Sequence, residues 1–307
     1  MNNYDLWPKS SVSFVNFSKS TYIEDKFFTF WNSGYPVLTS SGRVSIILAL
    51  KNSKISRKDY VGLTPVISPC VVKSVSTQAM PIYKDTQNSH SEIIYHQYGY
   101  LKDAANRENL IEDACDSLCI PNIELFPSGG RYEIWSLPKI FGTSAGSIIW
   151  CKDKEDAYSI RKHRDSSNRY NLLQWMLRVF GQKWVNSYYY WEGSELYHGG
   201  GLPNIAMGEI YKKINILNDI VEDRLKKMDL LKNLIPKQVN LSKGRLPCLI
   251  PLLNLNPKAK LSLKNLGFNL NNRFMQAKNG RIIQFYPLPI HQDVPIEKLL
   301  QVQKVLK

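Results

Sequence analysis

Apolar residues recur along this chain in two rhythms, and the alternation between them outlines the fold. SSGRVSIILALKNSKI, from Ser40, opens with Ser and Gly and continues with apolar residues at helical spacing to about Lys51. Strand-like runs alternate with helical ones after it. YVGLTPVI (60–67) reads as a strand, CVVKSVSTQ (70–78) as a short helix and MPIYKD (80–85) as a strand ending in Asp85. SEIIYHQYG (91–99) reads as a buried strand ending in His96 and Gly99, and ENLIEDACDS (108–117) holds a short strand ending in Asp113. RYEIWSLPK and SIIWCKD add two more. Strands separated by short helices predict an α/β domain with a mostly parallel sheet flanked by helices. Ligands in such sheets sit at the carboxyl ends of the strands, where His96, Asp113 and Lys139 fall.

From about 151 to 235 the rhythm becomes helical. DAYSIRKHRDSS and NLLQWMLRVFG are amphipathic, and IAMGEIYKKINILNDIVEDRLKKMDLLKNLI predicts one helix of about thirty residues. RLPCLIPLL, RFMQAKN and GRIIQFYPL return to strands, and PIEKLLQVQKVL closes with a helix. The expected organisation is a large domain over 1–210, its first forty residues a packing arm, then a linking helix and a smaller C-terminal α+β domain over 211–307. YYYW at 188–191 reads as packing or dimer contact.

Composition narrows this picture. A chain of 307 residues with 43% hydrophobic and 21% charged residues has the makings of a globular protein with a sizeable core. No apolar run approaches the ~20 residues that span a bilayer. The N-terminus lacks the pattern of a signal peptide, and five cysteines form no disulfide framework, which together predict a cytoplasmic protein. Cys115 and Cys119 lack the second pair a zinc site needs, so no metal is expected. A net charge of +14 fits an anionic partner, but the basic clusters are short and no nucleic-acid motif accompanies them.

EIWSLPKIFGTSAGSIIW (133–150) places one lysine, Lys139, between an apolar run and a stretch rich in Gly, Ser and Thr. A lysine amine, a carboxylate at a strand end and a Gly/Ser helix start are the groups that pyridoxal phosphate requires. They hold its aldehyde, its ring nitrogen and its phosphate respectively. Lys139, Asp113 and Ser41–Gly42 supply them in the order phosphate loop, aspartate, lysine.

That order, with SSGRVSIILAL, IIYHQYG, LIEDACDS, SLPKIFGTSAGSIIWCKD, LPNIAMGEI and FYPLPIHQDVPIEKLLQVQKVL, resembles the sugar aminotransferases of the DegT–StrS type over nearly the whole chain. The 26 residues from Asp113 to Lys139 are close to that family's spacing. The resemblance implies the pyridoxal-phosphate transferase fold of type I and a homodimer with shared active sites. It implies transfer of an amino group, usually from glutamate, to a keto group of a nucleotide-linked sugar, in synthesis of a surface polysaccharide. Lys139 would form the imine and carry protons, its pKa lowered by burial beside a cationic site, and Asp113 would pair with the pyridine nitrogen. Ser41, Gly42 and Arg43 would bind phosphate, Asn204 would reach the phosphate of the neighbouring subunit, and His96 would lie near the sugar.

Several positions depart from the family. Arg43 follows the phosphate-loop glycine, where a small or hydroxylic residue is usual. Val71 or Val72 stands where an aromatic ring usually faces the cofactor, and Asp116 where a Gln or His does. Ile134 takes the place of a phosphate-binding Ser, with Ser136 nearby as a substitute, and Ala206 the place of an Arg. These leave a second reading open, a relative that keeps the fold and binds a sugar nucleotide or a protein partner without transamination. A dehydratase reading is disfavoured, because that branch replaces the lysine by histidine.

Overall fold

The computed structural model describes residues 3–10, 15, 17, 19–83, 89–102, 109–166, 171–181, 200–242 and 244–306. In chain order these form α1 (Ser20–Phe30), β1 (Tyr35–Thr39), α2 (Gly42–Asn52), β2 (Tyr60–Leu63), α3 (Pro69–Ser76), β3 (Met80–Ile82), β4 (Ser91–Tyr95), β5 (Leu110–Asp113), β6 (Ser117–Cys119), β7 (Tyr132–Ser136), α4 (Leu137–Phe141) and β8 (Ser147–Cys151). There follow α5 (Lys154–Asp165), α6 (Asn171–Gly181), α7 (Asn204–Asn215), α8 (Leu217–Leu231), β9 (Arg245–Pro247), β10 (Leu249–Leu252), α9 (Pro257–Asn265), β11 (Arg273–Gln276), β12 (Ile282–Pro289) and α10 (Ile296–Leu306).

Seven strands make one sheet in the order β1-β8-β7-β5-β4-β2-β3. The pairings among β3, β2, β4, β5 and β7 are parallel. Those of β8 with β7 and β1 are antiparallel. The expected mostly parallel sheet is therefore present, closed on one side by an antiparallel edge. Its central strands carry Ile93, Ile94, Ile111 and Ile134, and they are buried because helices cover both faces. One face packs on α1, α4, α7 and the start of α8, around Phe27, Trp31, Trp135 and Trp150. Trp31 meets Trp135 edge-on with ring centres 4.8 Å apart, an arrangement that aromatic quadrupoles favour. The other face packs on α2, α3 and α5.

The first forty residues differ from the expected packing arm. FFTFW ends α1, with Phe27 and Trp31 fully buried, and β1 pairs with β8 as an edge strand. The expected thirty-residue helix is also two helices, α7 and α8, broken at Ile216. The apolar spacing runs through the break without interruption, through Met207, Ile210, Ile214, Leu217, Ile220 and Val221, and all six pack into the same core. Periodicity alone therefore carries no sign of it. α9 was not expected either; Asn256 caps it through Oδ1, which accepts from Ala259 N at 2.8 Å, and Pro257 starts it.

A three-stranded sheet, β10-β12-β11, packs with α9, α10 and the end of α8 around its own apolar core. The N-terminal residues join this core, since Tyr4 N donates to Gly267 O at 2.8 Å. Asp85 and the YYYW run lie outside the described residues. Among the described residues no helix is long and apolar enough to cross a membrane, and no cluster of His, Cys, Asp or Glu has the makings of a metal site.

Candidate active site

Strand register brings the site together. Tyr95, the last residue of β4, pairs with Asp113, the last of β5, and Asp113 pairs with Ile134 of β7. Just beyond these strand ends lies a cavity of about 220 Å³, walled by Ser41, Arg43, Tyr95, Asp113, Ser136 and Lys139 among others. This is the carboxyl edge of the parallel strands, where ligands of α/β sheets bind.

Ser41 is the N-cap of α2. Its backbone is extended and its Oγ accepts from Val44 N at 3.4 Å. The positive end of the helix dipole thus faces the cavity. A hydroxyl chain fixes this turn to the sheet: Thr39 Oγ1 lies 2.7 Å from Ser45 Oγ, which lies 3.0 Å from Ser147 Oγ. Gly42 allows close approach: a Cβ there would stand 3.1 Å from Cys115 Sγ, so the thiol would have to give way. Burial pushes the Cys115 thiol well above its ordinary range, so it is neutral at physiological pH.

Lys139 sits just past the end of β7 on a helical turn, α4, where the sequence suggested the end of a strand-like run. Pro138 suits the first turn of a helix, and Gly142, at φ 72°, ends it in the left-handed conformation with its N–H donating to Pro138 O at 3.0 Å. The Lys139 side chain is 32% exposed, so its amine can still reach the cavity. Nζ donates to Asp116 Oδ1 at 2.8 Å and lies 4.8 Å from the centre of the Trp7 ring. Burial by itself lowers the pKa of this amine, but the Asp116 charge, helped by that of Asp113, outweighs it and holds the amine above the ordinary lysine range. The lowered pKa expected from sequence is thereby reversed: the near neighbours of Lys139 are anionic.

Asp113 is buried, and its Oδ1 accepts from Cys115 N at 3.2 Å. Asp116 is 1% exposed, and its second oxygen accepts from the Tyr95 hydroxyl. Ser136 precedes α4 without capping it, which leaves its hydroxyl on the cavity wall, while Ile134 is locked in the core. Val71 lines the cavity and Val72 packs on the core behind it.

Two expected site residues lie elsewhere. His96 is fully buried: its Nε2 donates to Glu112 Oε2 at 2.8 Å and its Nδ1 accepts from Lys102 N at 3.1 Å, so both ring nitrogens are engaged away from the cavity. The substrate contact expected of it is corrected to a core histidine. Asn204 is exposed at the start of α7, off this chain's own cavity, with its carbonyl accepting from Phe17 N at 3.3 Å. Ala206 is buried against Ala145 and Trp175. Sequence reasoning missed Tyr95 and Trp7. Tyr95 could have been found, as the end of β4 lies one residue before the His96 that drew attention. Trp7 has no periodic signal, because a contact from so distant a segment leaves no local trace.

With this geometry in place, relatives can be compared. Residues 23–304 match the family model described as "Putative PLP-dependent aminotransferase". No curated protein matches by sequence. Among solved structures, the sugar aminotransferase CalS13 from Micromonospora echinospora is similar with a TM-score of 0.66 at 12% identity, over 99% of this chain and 99% of that one. NtdA from Bacillus subtilis with bound cofactor PMP gives 0.58 at 16% identity, over 94% and 78%. DesI in the presence of its TDP-sugar product gives 0.60 at 11% identity, over 94% and 83%. At such identities the likeness carries the fold, and the family follows from the sequence match: the chain belongs to the pyridoxal-phosphate-dependent aminotransferases.

Proposed function

We propose that this protein moves an amino group, from glutamate, to a keto group of a nucleotide-linked sugar. The observation that carries the reading is the meeting of the Lys139 amine, the Asp113 carboxylate and the Ser41 end of α2 around one cavity. This donor set fits pyridoxal phosphate. Lys139 Nζ would hold its aldehyde carbon and Asp113 its protonated ring nitrogen. The end of α2, with Ser136 and the Arg43 charge on the same wall, would receive its phosphate. Val71 supplies an apolar wall. When bound, the cofactor supplies a sink for the electrons released at the carbon bearing the amino group.

The chain's own residues then bind and move protons. Asp113, buried at a strand end, would pair with the ring nitrogen. Lys139 is the proton carrier, a half-buried side chain on a short helix beside the cavity. The nucleotide-sugar part of the proposal is supported by the fold shared with CalS13 and DesI and by a net charge of +14, which suits a diphosphate. Asn204, exposed off its own cavity, suits a homodimer in which it serves the partner's site. All five cysteines are free thiols, which suits a reducing compartment such as the cytoplasm. Synthesis of a surface polysaccharide is the pathway we propose for the product.

A second reading is favoured by one observation, the Lys139–Asp116 ion pair, which holds the amine protonated. On that reading the site binds without turnover. The purified protein mixed with pyridoxal phosphate separates the two. A visible absorption band that Lys139→Ala abolishes, and that glutamate bleaches, is the expected result. A band that glutamate leaves untouched supports binding without transamination, and no band at all overturns the cofactor assignment.

A further inference from the structure

Lys139 has to lose a proton before its nitrogen can act as a nucleophile, because an ammonium has no free electron pair. A base must therefore stand within hydrogen-bond reach of Nζ. Asp116 does, at 2.8 Å through Oδ1. Its other oxygen is already taken by the Tyr95 hydroxyl. The remaining charged or ionisable neighbours are Asp113 and Cys115 at the end of β5, Tyr98 after β4, Cys248 between β9 and β10, and Arg43 across the cavity. Burial pushes both thiols and the Tyr98 hydroxyl up, so all three are neutral near pH 7. Asp113 accepts from the backbone N–H of Cys115 through Oδ1 and, among the described residues, makes no hydrogen bond to Nζ. The carboxylate hydrogen-bonded to Nζ is that of Asp116.

With the cavity open to water, the ion pair is the favoured form: solvent reaches the Lys139 side chain, and the Trp7 ring face adds to the hold on the cation. Filling the cavity expels that water. Two charges in a dry site are then disfavoured relative to a neutral amine and a neutral acid, because each charge loses its solvation. A glutamine at this place offers no basic oxygen of comparable strength.

We propose that Asp116 is the proton-holding residue of this site. As the cavity fills, the proton on Lys139 Nζ crosses to Asp116 Oδ1, and it returns as the cavity empties. The N–H bond broken on lysine is replaced by an O–H bond on aspartate, and the pair carries no net charge before or after. No outside base is needed. Tyr95 holds the carboxylate in place and reserves Oδ1 for the proton. The inference rests on the cofactor reading given above, and deepens it by assigning the source of the reactive amine.

Two measurements test it together. In protein stripped of cofactor, competitive acetylation read by mass spectrometry gives the pH midpoint of Lys139. The expected midpoint lies above that of surface lysines, falls by about one pH unit or more in Asp116→Asn, and is restored in Asp116→Glu. On loading with pyridoxal phosphate, difference infrared spectra are expected to show a new protonated-carboxyl stretch in the parent that Asp116→Asn lacks. A visible band without that stretch, or a midpoint indifferent to Asp116→Asn, overturns this inference while leaving the cofactor reading standing. Absence of the visible band brings down the cofactor reading and this inference with it. The infrared measurement on the parent needs no variant to fold.

Discussion

Glu133–Arg245 and Asp116–Lys139 are both carboxylate–cation pairs beside the large sheet, and they are built to opposite ends. Glu133, on β7, accepts from both guanidinium ends of Arg245, from Trp135 Nε1 at 2.5 Å and from Phe126 N at 2.7 Å. Both partners are at most 1% exposed. Burial alone would raise the Glu133 pKa, but the Arg245 charge and these hydrogen bonds outweigh it and hold the carboxyl below the ordinary range. Every oxygen is spoken for, and the pair has no second arrangement. Asp116–Lys139 has a single hydrogen bond between its members and a cation that solvent can reach. The comparison teaches that buried charge becomes structural when all its partners are protein, and available for chemistry when one side is left to a cavity.

The sharpest way to break this contrast is Glu133→Ala. It strands the Arg245 guanidinium in the core, and a loss of about 3–5 kcal/mol is expected in urea unfolding. A loss below about 1 kcal/mol would mean that the pair holds no more than an exposed one.

His291 gives an intermediate case. It is buried, Nε2 donates to Asp5 O at 2.9 Å, and Nδ1 accepts from Asp293 N at 3.3 Å, so there is no room for a second ring proton. Burial lowers its pKa to about 4. The unfolded chain therefore binds a proton that the folded chain refuses, and stability falls as pH drops from the ordinary value of about 6.5 toward 4. A loss of roughly 2–3 kcal/mol across that window is expected. Denaturant curves at several pH values should show the slope in the parent and not in His291→Gln.

The smallest effect is expected of Asp116→Asn. Its stability cost should stay within about 1 kcal/mol, because Lys139 can turn to solvent. A thermal melt showing a loss as large as that of Glu133→Ala would erase the distinction between the two pairs.

Much of this was legible in the sequence, for physical reasons. Asp113 ends a buried strand as expected, because the run from Leu110 has a clear apolar signal and stops where polarity begins. The segment around Lys139 was legible because Pro138 and Gly142 bracket it chemically. Local signals failed where the determinant was distant. His96 drew a functional reading that its burial against Glu112 removes. Ile216 breaks a helix whose apolar rhythm never falters. Trp7 reaches Lys139 across 132 positions of sequence, and Tyr95 matters only because strand register sets it beside Asp113.

The anchoring of Tyr4 to Gly267 has a consequence in time. A ribosome makes Trp7 260 residues before Gly267, yet Trp7 completes the surroundings of Lys139 from a segment fastened at Gly267. During synthesis the large sheet can form, with Asp113, Asp116 and Lys139 in register, while this segment still lacks its anchor. The amine then waits with one side open, and its enclosure is a late event in the birth of the protein.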